Sequence, residues 1–170
     1  MSRLSRHLLE QARHLTTRDA GRPRQANVRR AVSAAYYALF HFLTAKACRA
    51  LLGSSPARRA IRVAFERSFN HAPMRNAARS FASGNLPGAL GVVLGAVPAE
   101  LRRIARAFSE AQDERHQADY NNGVRFTRAR ALGVIGEVEA AIALWPTVRH
   151  TDAARLYLVA LLTGDSVRSR

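Results

Sequence analysis

One cysteine, one tryptophan, two methionines and only 12 acidic residues in 170 positions leave this chain short of several kinds of chemistry. A lone cysteine, Cys48, excludes an internal disulfide and a cysteine-rich metal site. The six histidines form no His-Glu-x-x-His pair. The chain also lacks a Gly-x-x-x-x-Gly-Lys phosphate loop and a Gly-x-Ser-x-Gly nucleophile elbow. No metal and no cofactor is therefore expected. Long apolar runs are missing around the main apolar segment, where the longest uncharged stretch, Ala31 to Ala45, has fifteen residues. A membrane-spanning helix needs about 20, so that stretch reads as a core helix. The N-terminal segment has no apolar core of the kind a secretory signal carries, and a cytoplasmic location is the default expectation. Strand-like alternation is absent as well, which points to an all-α fold.

What the chain has in excess is arginine. One lysine, Lys46, and 26 arginines face the 12 acids, giving a net charge of +15. A polyanion partner is one explanation, since guanidinium groups fork onto phosphate oxygens and binding releases counterions. Compositional bias is the other, because alanine is abundant too. Bias accounts for arginine in place of lysine but not for the shortage of acids. Apolar residues make up 48% of the chain, enough for one packed domain over residues 1–170.

Helical periods recur throughout. A first helix is expected from Ser5 to Thr17, with Leu4, Leu8, Ala12 and Leu15 inward and Arg3, Arg6, Glu10 and Arg13 in water. A long second helix runs from Asn27 to Leu52 and stops at Gly53-Ser-Ser-Pro56. A third, Ala57 to Phe69, should turn Ala60, Val63 and Ala64 inward, with Asn70-His-Ala-Pro73 ending it and a short helix following from Met74 to Ala82. Residues 83–97 are glycine-rich, apolar and uncharged; a packed loop is expected, since Leu86, Val92, Val93 and Leu94 are costly to expose. Further helices are expected from Pro98 to Tyr120, from Thr127 to Leu144 ahead of Pro146, and from Asp152 to Leu162, capped by Thr151. Gly133 and Gly136 suggest close approach of a neighbouring helix, and the apolar run Leu156 to Leu162 needs covering by the core or by a partner. Residues 166–170 read as a frayed tail.

Two features carry chemical interest. On the second helix, Arg30, Ser33, Tyr37, His41, Thr44 and Cys48 follow a 3, 4, 4, 3, 4 spacing and share one face. That polar face either lines a groove or is a partly exposed surface with tyrosine and histidine tips reaching water. On the later helix, the inward stripe Leu101, Ile104, Phe108, Ala111 leads to Arg115, which is either paired internally with Asp119 four residues on or placed at an interface.

Ala34-Ala-Tyr-Tyr-Ala-Leu-Phe-His41, followed by Glu114-Arg-His-Gln-Ala-Asp-Tyr120, resembles the HEPN family of small helical domains over about Asn27 to Leu144. The resemblance implies an up-and-down antiparallel bundle of four core helices, here with additional N- and C-terminal helices. It also implies a homodimer with a polar cleft, and RNA, a nucleotide or another protein, such as a cognate antitoxin, as partner. Many members of the family are metal-independent endoribonucleases that pair an arginine with a histidine downstream, with four to six residues between them. Arg115 matches the arginine, but Tyr120 stands where the histidine belongs, and none of the other histidines has the required spacing. Tyrosine is a poor base near neutrality, and His116 points about 100° away from Arg115. The expected site is therefore Arg115, Tyr120 and His41 at its centre, with Arg30, Ser33, Tyr37 and Asp119 lining a cleft. Arg3, Arg6, Arg58, Arg59 and Arg62 form a basic surface for nucleic acid, with a plain solvated charged face as the alternative. The function expected is RNA or nucleotide binding; an endoribonuclease and a helical protein-interaction module are the alternatives.

Overall fold

In the computed structural model, residues 1–84, 86, 91, 92 and 94–163 are described, and every regular element among them is helical. The helices are α1 (Arg3–Thr17), α2 (Gln25–Leu52), α3 (Arg59–Glu66), α4 (His71–Ser83), α5 (Ala99–Tyr120), α6 (Arg128–Val148) and α7 (Asp152–Thr163). A 3-10 turn, Pro56–Arg58, leads into α3. The all-helical architecture expected from the periodicity is what the chain adopts. It divides into two compact units, one built from Met1–Phe42 and Glu110–Ala143, the other from Leu43–Ser109 and the chain from Leu144 onward. The divisions fall inside α2, α5 and α6, so the chain passes from unit to unit within helices.

In the first unit, the start of α2 supplies the core: Val28, Ala31 and Val32 are fully buried and cluster with Ala118, Phe126 and Ala131. Helix α1 is rotated from expectation. Ser5, Leu9, Ala12 and Thr16 are its buried residues, while Leu4 is half exposed. The two candidate stripes differ by about one residue, and Ser5 and Thr16 join the buried one because their hydroxyls bond locally, Ser5 with Ser2 and Thr16 with the Arg13 carbonyl. Helix α6 buries Ala131, Ile135, Val138 and Ala141 on one side. The expected close approach at Gly133 and Gly136 does not occur: a Cβ at either would meet nothing within 4 Å. By length and composition, α6 is the one described helix that passes as a candidate membrane span.

Two buried-end arginines fix this unit. Arg29 donates to the carbonyls of Ala118 (2.8 Å), Asn121 (3.1 Å) and Val124, where α5 ends. Arg128 donates to Thr16 (2.9 Å), Asp19 and Gly21 (2.9 Å), where α1 ends. The last carbonyls of a helix have no partner inside it and carry partial negative charge, so a guanidinium there satisfies both.

In the second unit, α4 packs on α7, with Phe81 and Tyr157 rings 5.0 Å apart. Helix α4 begins before Pro73, which the sequence pattern treated as a break. Proline in a first turn loses no hydrogen bond, because the N–H there has no helical partner. Gly84 closes α4 at φ 77°, a conformation that favours glycine, and Arg102 Nε reaches the Ala82 carbonyl. Helix α6 continues past Pro146 to Val148 rather than stopping at Leu144. Trp145 and Val148 are buried, and burying such side chains is worth about 1.5–3 kcal/mol each, which offsets the bond that proline removes. Thr151 Oγ1 accepts from Ala154 N (3.1 Å), the cap expected for α7. Its apolar run is covered within the chain, as Tyr157, Leu158, Ala160 and Leu161 are buried. The Tyr157 hydroxyl has no partner among the described residues, an omission that costs about 1–3 kcal/mol against the burial of its ring.

Two expectations fail outright in this unit. Ala60, Val63 and Ala64 of α3 face outward, and Phe65 and Phe69 point in, with Phe69 buried. The reason lies in Arg62, whose Nη1 is held by the Gly53 and Ser55 carbonyls (2.9 Å each) and so turns its own face inward. Val92, expected to pack, is 85% exposed, while Leu86 and Leu94 are partly buried. Val93 and the 166–170 tail lie outside the described residues.

Replacing Arg29 by alanine removes its donors from the Ala118 carbonyl in the last turn of α5 and from Asn121 and Val124 just beyond it, and is expected to cost about 1.5–3 kcal/mol, the range for hydrogen bonds to charged groups. Arg30→Ala, next to it but exposed, should stay within about 0.5 kcal/mol. Urea unfolding of both variants measures the difference.

Candidate functional site

The first unit brings the polar face of α2 against the last turns of α5. Successive positions Ser33 and Tyr37 on α2 meet Asp119 and Arg115, which are themselves one turn apart. Ser33 Oγ donates to Asp119 Oδ1 at 2.6 Å. Arg115 Nε lies 2.7 Å from Asp119 Oδ2, and Arg115 Nη2 donates to the Tyr37 hydroxyl at 3.1 Å. The internal Arg115–Asp119 pair, one of the two alternatives the sequence left open, is present, and Arg115 also joins α5 to α2 through Tyr37.

Three tyrosine rings surround the guanidinium. Its Cζ is 5.5 Å from the Tyr37 ring centre, 5.9 Å from Tyr36 and 5.7 Å from Tyr120. Attraction between a cation and an aromatic face operates at this range. Burial alone pulls the Arg115 pKa down, but Tyr37, Asp119, Tyr120 and Tyr36 outweigh it and raise it. Arg115 is thus a permanent cation. Burial pushes the Tyr36 phenol well above its ordinary range despite the neighbouring Arg115, so Tyr36 serves as a neutral ring.

Tyr120 is 66% exposed and lies 5.1 Å from the His116 ring. The pair offers an aromatic surface to solvent beside the arginine. His41 stacks on Tyr37 with ring centres 6.3 Å apart and an interplanar angle of 29°. Its connection to Arg115 therefore runs through Tyr37. Burial lowers the His41 pKa, which keeps the imidazole neutral near pH 7.

Not every expected residue joins this cluster. Arg30 is exposed and has no side-chain partner among the described residues. Thr44 and Cys48 are buried in the second unit, so the polar stripe does not line one groove along its length. Burial pushes the Cys48 thiol up to about 11, leaving it unreactive. Of the basic surface, Arg3, Arg6, Arg58 and Arg59 are exposed and Arg62 is partly buried. Arg58 also closes the end of α2, its Nη1 donating to the Leu52 carbonyl at 3.0 Å, and Arg62 holds the Gly53 and Ser55 carbonyls just beyond it.

Tyr36 and Arg29 are the residues that the sequence reading missed. The paired tyrosines signalled Tyr36. Arg29 had no signal, because its carbonyl partners lie 89 to 95 positions away. Among the described residues, no group of three or more His, Cys, Asp or Glu could hold a metal ion. No family model, curated protein or solved structure matches the chain.

The sign of a pH effect follows from His41. Above its ordinary pKa of 6.5 the imidazole is neutral in both folded and unfolded chains. Below it, the unfolded chain takes up the proton first, so stability falls as the pH falls. Urea midpoints at about pH 7.5 and about pH 5.5 should drop more for the native protein than for His41→Gln.

Proposed function

We propose that this chain is a HEPN-like protein that binds RNA or a nucleotide, with Arg115 as the phosphate contact and Tyr120 as a stacking surface for a base. One observation carries the reading: a permanently charged guanidinium, ringed by three tyrosines, stands beside an exposed aromatic pair. Guanidinium groups grip phosphate oxygens bidentately, and unstacked RNA bases stack on exposed aromatic side chains. The net charge of +15 favours any polyanion at long range. The motif resemblance supports a homodimer and adds a protein antitoxin as a further partner under this reading.

Asp119 is central to the energetics. Its carboxylate already neutralises Arg115 and is itself fixed by Ser33, so an incoming phosphate competes with it. Filter binding of a single-stranded RNA across a salt series tests the assignment. Arg115→Ala should weaken binding across sequences and reduce the salt slope by about one. Asp119→Asn keeps the side-chain shape but removes the competing charge, and should tighten binding roughly fivefold, the worth of a partly screened ion pair. Native affinity in both variants would overturn the site, and affinity no higher than that of a neutral helical protein would overturn the function.

A second reading, a metal-independent endoribonuclease, draws on His41. A neutral imidazole is the form that takes a proton from a 2′-hydroxyl. Under this reading, native protein cleaves RNA in the presence of a chelator, and His41→Ala and Arg115→Ala each lose at least about a hundredfold in rate. Cleavage unchanged by both substitutions would refute this site as the source.

A further inference from the structure

Helix α3 buries none of its eight residues, and a helix this short is unstable alone in water. Arg58 and Arg62 tether it to the end of α2. Phe65 and Phe69, rings 6.1 Å apart and edge-on, anchor its inner side. The outer side is left uncovered: Val63 is 51% exposed. Ala57, Ala60, Val63 and Ala64 form the floor of an open groove there, with Arg59 and Arg67 on its lining as well. The two arginines are about 12 Å apart along the helix axis. Among the described residues, neither has a side-chain partner. Glu66 is the one acid in α3. It is partly buried, which pushes its carboxyl pKa up, while Arg49 and Arg62 beside it pull it down. The groove therefore carries positive charge with no internal counter-ion.

We propose that this groove docks an acidic amphipathic helix from a protein partner. Apolar residues at i, i+3, i+4 and i+7 of that helix fill the floor, as in other helix-in-groove complexes, and carboxylates on its flanks meet Arg59 and Arg67. The floor is mostly alanine, so a partner backbone can come close. A second copy of α3 does not fit. Parallel pairing sets Arg59 against Arg59, and antiparallel pairing about Val63 sets Arg59 against Arg67. Helices that lie on membranes anchor with Trp, Phe or Leu, and the floor has none of these. This surface is independent of the Arg115 site.

The probe is a fluorescein-labelled helical peptide with leucines at the four spaced positions and glutamates on both flanks, titrated with the full chain. A second peptide carries glutamine in place of each glutamate. The acidic peptide should bind at least about tenfold more tightly, the scale of a complementary charge contact. Val63→Asp and the double variant Arg59→Glu/Arg67→Glu should each weaken it by a similar factor. The same charge change at Arg18→Glu/Arg22→Glu should leave it within about twofold. The variants should keep the native unfolding midpoint, since these side chains are exposed and hold no carbonyl. A lysine-flanked peptide should prefer the Arg59→Glu/Arg67→Glu protein. Any of three results overturns the proposal: equal affinity for the acidic and glutamine peptides, unchanged affinity in the groove variants, or no peptide binding at about 100 μM, a Kd range typical of weak docking. Groove-dependent binding to phosphatidylserine vesicles without peptide binding would assign the face to a membrane instead.

Discussion

Guanidinium groups delivered to the C-terminal ends of helices are the interaction on which the remaining structure depends. Neither α4 nor α5 has a basic residue in its last turn, so their final carbonyls must be satisfied from elsewhere. Arg29 closes α5, Arg128 closes α1, Arg58 closes α2 with Arg62 on the carbonyls just beyond it, and Arg102 reaches the end of α4. Arginine suits this role because its planar fork presents several donors at once. Lysine, a point donor, would leave carbonyls unpaired. Part of the arginine excess is therefore architectural, and net charge alone overstates what is offered to a polyanion.

The Arg29 contact has a direct consequence for the candidate site. By tying the start of α2 to the end of α5, it sets Ser33 and Tyr37 opposite Asp119 and Arg115. One turn of each helix then faces one turn of the other, and the network closes through hydrogen bonds of 2.6 and 3.1 Å. Ser33 holds Asp119, Asp119 and the tyrosines hold Arg115, and Tyr37 links Arg115 to His41. A cation of this kind is fully compensated at rest. An anion approaching Arg115 would have to displace Asp119 rather than fill an empty charge.

The α3 groove presents the opposite condition. Its apolar floor is uncovered and its two arginines are uncompensated, although Arg58 and Arg62 from the same stretch of sequence are committed to carbonyls. Four arginines within ten positions thus divide into two structural and two available. Only their direction around a short helix separates them.

The sequence by itself determined that this chain is helical, roughly where each helix lies, and that α2 is central. Those properties are local: apolar residues at helical spacing, the Thr151 cap and the Gly53 stop act within a few positions. It also placed Arg115 and Asp119 one turn apart and put Ser33 and Tyr37 on a common face. Tertiary structure decided which way α1 and α3 are turned: α1 buries a less apolar stripe whose Ser5 and Thr16 hydroxyls are bonded locally, and Arg62, held by the Gly53 and Ser55 carbonyls, turns α3. It carried α6 through Pro146, where burial of Trp145 and Val148 outweighs a lost hydrogen bond. It left Gly133 and Gly136 facing open space. It also selected Arg29 over its neighbour Arg30, and Tyr36 as the third ring around Arg115. Contacts spanning some eighty or ninety positions make these last two choices, and local pattern carries no record of them.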